Sequence, residues 1–103
     1  ASIDDVASLK ATVVVNCTSI GMHPNVDSTP VPGECFNPDM AVFDTVYNPL
    51  QTKMLQLAED AGAKTVSGAE MFIRQAVAQF RIFTSKDPNE QIMRETVFNK
   101  LAN

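Results

Sequence analysis

Two uncharged side chains stand where a ligand could reach them: Tyr47, the only tyrosine, at the carboxyl end of a strand candidate, and Gln75, in the second turn of a helix that follows a strand, from where it could reach ligand hydroxyls. A phenol and a carboxamide offer hydrogen bonds without titrating near neutral pH. A third candidate is the stretch Asn16-Cys17-Thr18-Ser19-Ile20-Gly21-Met22, which follows the β-branched run Val13-Val14-Val15. Such a run reads as a strand buried on both faces that stops at a loop, and open α/β sheets bind ligands just beyond the carboxyl ends of their strands. A fourth is Ser67-Gly68, where free N–H groups at a helix start favour polar ligand atoms and glycine allows close approach. Each has a plain structural alternative. The loop is then an ordinary strand exit, Tyr47 a core phenol with one hydrogen bond, and Gln75 a solvated surface residue.

The elements that would position these residues follow from periodicity and punctuation. Residues 2–9 read as a short helix capped by Ser2, and residues 12–16 as the first strand. Residues 18–40 hold four of the six prolines and read as an irregular loop. Residues 41–47 form the second strand, with Tyr47 at its carboxyl end. Thr52 caps a helix to Ala61 whose apolar stripe is Met54, Leu57, Ala58 and Ala61, and Gly62 fits the left-handed position that ends it. Lys64-Thr65-Val66 is a short third strand. Residues 68–83 are the strongest helix, with Ala69, Phe72, Ile73, Ala76, Val77, Phe80 and Phe83 as a core stripe and Gln75 and Gln79 as a polar line beside it. Asp87-Pro88-Asn89-Glu90 reads as a capping box with proline at the first helical position of a last helix. The alternation of helix and strand argues for an α/β fold of parallel βαβ units.

Composition narrows the function classes. The chain has 103 residues, enough for one small domain, 45% hydrophobic and 19% charged, which fits a globular chain. A net charge of −4 argues against a nucleic-acid surface or a polybasic membrane patch. No apolar run approaches the length of a membrane span and no signal-peptide layout is present. Cys17 and Cys35 match neither a disulfide framework nor a zinc pattern, and read as free, buried thiols. The acceptor pattern Asn16-Cys17-Thr18 is discounted for glycosylation because a buried strand end is a poor acceptor. His23, alone in a proline-rich loop, reads as solvated and lacks metal-ligand neighbours at the right spacing. The glycines are Gly21, Gly33, Gly62 and Gly68, so no G-x-G-x-x-G exists.

Three blocks taken together carry a family likeness: Asn16-Cys17-Thr18-Ser19-Ile20-Gly21-Met22; Phe43-Asp44-Thr45-Val46-Tyr47-Asn48-Pro49 followed by Thr52; and Gly68-Ala69-Glu70-Met71-Phe72-Ile73-Arg74-Gln75-Ala76. In order and spacing they resemble the C-terminal part of shikimate dehydrogenase, including the form fused to 3-dehydroquinate dehydratase. The resemblance spans about residues 12 to 85. It implies that residues 1–103 are the C-terminal half of a Rossmann-like, NADP-binding domain: half of a doubly wound parallel sheet, about three strands with flanking helices.

The likeness also implies roles. Asn16, Thr18, Ser19 and Met22 would line the cofactor's path to the nicotinamide. Thr45 stands where relatives often carry a larger apolar residue against that ring, and Gly68 would contact the nicotinamide end. Tyr47 would hydrogen-bond the carboxylate or a ring hydroxyl of shikimate or 3-dehydroshikimate, and Gln75 its hydroxyls. The family's Gly-rich loop and catalytic Lys/Asp pair lie upstream, in the first half of the nucleotide domain and in a substrate domain. None of the residues present is therefore assigned a catalytic or metal-binding role, and the chain is expected to be inactive alone. The implied location is cytoplasmic, or a plastid for the fused plant-type enzyme. Quinate dehydrogenase, and a stand-alone non-catalytic nucleotide-binding or assembly module, are the alternatives.

Overall fold

The computed structural model describes residues 9–102. The helix expected over 2–9 falls on residues 1–8, outside the described ones, except for Leu9, which lies in a turn. Three parallel strands form one sheet in the order β1-β2-β3: β1 (Val13–Asn16), β2 (Ala41–Asp44) and β3 (Lys64–Val66). Val14 of β1 lies beside Val42 of β2, which lies beside Thr65 of β3. A single turn of 3₁₀ helix, Gly33–Cys35, interrupts the expected irregular loop. Helix α1 (Lys53–Asp60) links β2 to β3, and α2 (Gly68–Thr84) and α3 (Glu90–Ala102) follow. No described helix is long and apolar enough to cross a membrane.

One buried cluster joins β1, β2, α1 and the loop between the two strands. Val42, Met54, Leu55, Ala58, Phe36 and Met40 are buried together, with Val14 packed against them. The α1 start is as the sequence predicts: Thr52 Oγ1 accepts from Leu55 N–H, and Gly62 closes the helix at φ 86°.

Four expectations change. β1 is not buried on both faces: Val13 is 56% and Val15 48% exposed, because β1 is an edge strand whose outward face is left bare by the described elements. Cys17, taken as buried, is exposed, since side chains alternate along the strand and Asn16 takes the inward position. The core stripe of α2 keeps only Ala69, Ile73 and Val77, whereas Phe72, Phe80 and Phe83 are exposed. A 17-residue helix runs about 25 Å while four-residue strands run about 13 Å, so its second half projects past the sheet. Finally, α3 starts at Glu90 with Asn89 as cap: Asn89 Oδ1 accepts from Ile92 N–H, and Asp87 pairs with Arg81 instead.

Candidate functional site

The carboxyl ends of β1 and β2 are tied by a buried polar hub. Asp44, fully buried, is its centre. Its Oδ1 accepts from Asn16 Nδ2 at 3.1 Å and from Val46 N–H at 3.0 Å, and its Oδ2 accepts from the Thr52 hydroxyl at 2.7 Å. A carboxylate that accepts from the backbone two residues on turns the chain, which is why the β2 ladder stops at Asp44 and not at the expected Tyr47. One residue thereby joins β1, the exit of β2 and the start of α1.

Asn16, 4% exposed, does the same for the loop after β1. Its Oδ1 accepts from Thr18 N–H at 3.0 Å and from the Thr18 hydroxyl at 2.6 Å, and its amide also donates to the Ile20 carbonyl at 3.1 Å. Thr18 Oγ1 accepts in turn from Ile20 N–H, and Met22 N–H closes a turn onto the Ser19 carbonyl. Gly21 sits at φ 97°, a conformation that side chains rarely adopt. The Asn16 side chain is thus spent on shaping the loop, while Thr18, Ser19 and Met22 are exposed on it. The His23 N–H donates to the Asn48 carbonyl at 2.9 Å, fastening this loop to the one after β2.

Thr45 donates its N–H and its hydroxyl to the Asn16 carbonyl, at 3.1 and 2.8 Å, which leaves its methyl as apolar surface. Gly68 opens α2 against this junction: a Cβ built there would lie 2.5 Å from the Val46 carbonyl oxygen and 2.6 Å from that of Thr45. Only glycine lets the helix start come so close to the β2 exit. Ser67 Oγ caps the helix by accepting from Glu70 N–H. The Glu70 carboxylate takes both Arg94 NH groups from α3, and the Arg94 hydrogen bonds hold its pKa below the ordinary 4.5 against its partial burial. The same pairing raises Arg94. The ion pair fastens α3 to the first turn of α2.

Two adjoining concavities result. One, of about 430 Å³, is lined by Thr18, Ser19, Met22, Thr45 and Tyr47, with Cys17 and His23 also on its wall. The other, of about 320 Å³, is lined by Thr45, Tyr47, Gly68, Met71, Phe72 and Gln75. They share Thr45 and Tyr47, so every candidate except Asn16 borders a cleft made of two adjoining concavities at the carboxyl end of the sheet, and Asn16 supports it from behind. Gln79 does not border it. The cleft offers hydroxyls, a phenol, a carboxamide and apolar surface, with no Lys or Arg on either wall. That donor set fits a carboxamide-bearing ring beside a hydroxylated ring; it does not fit a pyrophosphate.

Residues that sequence reasoning passed over are Asp44, Glu70, Arg94 and the place of Phe72 on the wall of the cleft. An aspartate inside an apolar strand and the spacing Ser67-x-x-Glu70 were the available signals for two of them.

Residues 68–98 match the family model of the shikimate 5'-dehydrogenase C-terminal domain. The shikimate dehydrogenase (NADP(+)) of Methanosarcina barkeri is 44% identical over 91 residues, 88% of this chain and 32% of that protein. The bifunctional chloroplastic 3-dehydroquinate dehydratase/shikimate dehydrogenase of Arabidopsis thaliana is 53% identical over 72 residues, 70% of this chain and 12% of that protein. A crystal structure of a shikimate dehydrogenase in complex with NADP+ superposes with a TM-score of 0.84 at 38% identity, covering 94% of this chain and 34% of that one. A quinate dehydrogenase from Corynebacterium glutamicum in complex with NAD does so with a TM-score of 0.84 at 36% identity, covering 96% and 36%. The chain spans about a third of the length of the shikimate dehydrogenases it matches.

Proposed function

We propose, for a chain that matches the C-terminal part of shikimate dehydrogenase, that it forms the nicotinamide-side wall and part of the substrate site of an NADP-dependent shikimate dehydrogenase. The observation that carries this is the convergence of Thr45, Tyr47, Gly68 and Gln75 on one concavity. Bound NADP(H) would supply the hydride exchanged between shikimate and 3-dehydroshikimate.

The chain's own residues then bind and orient. The loop of Thr18, Ser19 and Met22 lines the approach of the nicotinamide end, and Thr45 and Gly68 place backbone and a methyl against it. Tyr47 and Gln75 hydrogen-bond the carboxylate or hydroxyls of the substrate ring. Holding the reacting carbons at near-attack distance can lower the barrier by roughly 7–11 kcal/mol. No residue bordering the cleft is assigned the proton transfer, and the phosphates and the remaining ring contacts fall to the other two-thirds of a full-length enzyme. Quinate is the second reading, favoured by the equal superposition on the NAD-bound quinate dehydrogenase.

The test places residues 1–103 in the corresponding third of the Methanosarcina barkeri enzyme and assays NADP reduction with shikimate and with quinate. Gln75→Ala should raise the KM for the preferred acid, and Lys86→Ala, an exposed residue away from the cleft, should leave it unchanged. The free chain should show no turnover above a protein-free blank. Equal KM values for the two variants, or turnover by the free chain that Tyr47→Phe abolishes, would overturn this assignment.

A further inference from the structure

We infer that Phe72 is a positioning residue that sets the ring of Tyr47, an inference that rests on the reading of Tyr47 as a substrate contact. Helical periodicity assigns Phe72 to the core, yet it is 51% exposed, and its ring centroid lies 6.1 Å from that of Tyr47 with the planes tilted by 36°. Aromatic pairs at this separation attract beyond their buried area.

The two rings also form a partition. On one side is the 320 Å³ concavity that they share with Gly68 and Gln75. On the other is an apolar hollow of about 270 Å³ against α3, bordered by the same two rings together with Ala69, Val97 and Leu101. Phe72 stands one turn before Gln75, so the same face of α2 carries both.

Tyr47 has little else to hold it. It is 50% exposed, and among the described residues its hydroxyl has no hydrogen-bond partner. Backbone bonds fix the chain on either side, at Val46 N–H and at the Asn48 carbonyl, but they leave the side-chain torsions free. Packing against Phe72 is what selects the rotamer. Truncating Phe72 would join the cleft to the hollow and release the phenol ring from its wall. A ring so freed must be reordered at each binding event, which weakens substrate affinity by about three- to tenfold at the usual cost of immobilising a side chain.

The chain reports on this directly, because Tyr47 is its only tyrosine and it has no tryptophan. The experiment compares wild type, Phe72→Ala and Phe72→Leu in the 103-residue chain by tyrosine fluorescence anisotropy and tyrosine-band circular dichroism, with far-ultraviolet dichroism and thermal melting alongside. The KM for shikimate is then measured for each variant in the Methanosarcina barkeri enzyme that carries residues 1–103. Phe72→Ala should lose most of the tyrosine dichroism and part of the anisotropy at unchanged secondary structure, with Phe72→Leu in between; if the alanine variant does not fold, the leucine variant alone should show the partial loss. An unchanged tyrosine signal in a folded variant overturns the positioning role, whatever the KM. A KM for shikimate that Phe72→Ala raises by less than threefold while the tyrosine signal falls overturns the substrate reading of Tyr47 instead, and the ligand-free comparison still decides whether Phe72 orders the ring.

Discussion

Asp44 is the side chain whose loss should be felt furthest, because three donors from three elements end on it. In Asp44→Ala the Val46 N–H loses its acceptor, the Thr52 hydroxyl loses the acceptor of its proton, and Asn16 keeps only the Ile20 carbonyl for its amide. Leaving a buried donor unmet costs about 1–3 kcal/mol. With Asn16 partly compensated, the sum is about 3–6 kcal/mol, a large share of the ~5–15 kcal/mol that holds a typical domain. Asp44→Asn should behave differently. Its carbonyl oxygen can still serve Asn16 and Val46, and its amide can donate to Thr52 Oγ1, which already accepts from Leu55 N–H. Only the threonine proton is then stranded, at about 1–3 kcal/mol. The assay is denaturant unfolding followed by far-ultraviolet circular dichroism, comparing midpoints at a common slope. Alanine should lie at least ~2 kcal/mol below asparagine. Equal midpoints for the two variants, or an alanine variant within ~1 kcal/mol of wild type, would refute the view that this hub ties the strand ends together.

Two further outcomes follow from the geometry. Gly68→Ala should destabilise the chain by about 1–3 kcal/mol, since its Cβ meets two backbone carbonyl oxygens that cannot rotate away. The same midpoint measurement checks it, and tyrosine dichroism should change with it as α2 moves off Tyr47. The Glu70–Arg94 pair predicts a pH effect. The folded-state pKa of Glu70 is depressed, so its stabilising share is complete above the ordinary value of 4.5 and disappears as the pH falls through the lower folded value. Arg94 stays charged throughout, so wild type should lose stability on acidification below that range, and Arg94→Met should lose less; parallel pH profiles for the two would remove the pair from the account.

Much of the layout was legible because its signals are local. Thr52 and Gly62 mark the ends of α1 by cap chemistry that needs no partner, and the brief third strand is bounded by Gly62 and Gly68. What the sequence hid is what depends on the surroundings. An apolar stripe records which helix face is hydrophobic, not whether anything covers it, so Phe72, Phe80 and Phe83 looked like core. The run Val13-Val14-Val15 says that a strand can be buried on both sides, and only the sheet order reveals that β1 is an edge. The cap of α3 is Asn89 and not Asp87, whose carboxylate pairs instead with Arg81, six residues earlier in the last turn of α2.

The residues of the cleft divide into those exposed on its walls and those buried behind them, and the motifs mixed the two. Asn16 and Asp44 belong to the same sequence blocks as Thr18 and Tyr47, yet they are buried and their polar atoms are consumed within the fold. An apolar pair in their place could fill the volume but would not fix direction. Hydrogen bonds specify where the loop after β1 and the exit of β2 must turn, and a satisfied buried network does so with one solution where apolar packing allows several. Gly68 adds a length constraint, bringing α2 to the β2 exit at a distance no other residue permits. The exposed side chains on its walls are therefore the replaceable part of the cleft. Changes at Thr45, Tyr47 or Gln75 should retune what is bound, whereas changes at Asn16, Asp44 or Gly68 should move all three at once.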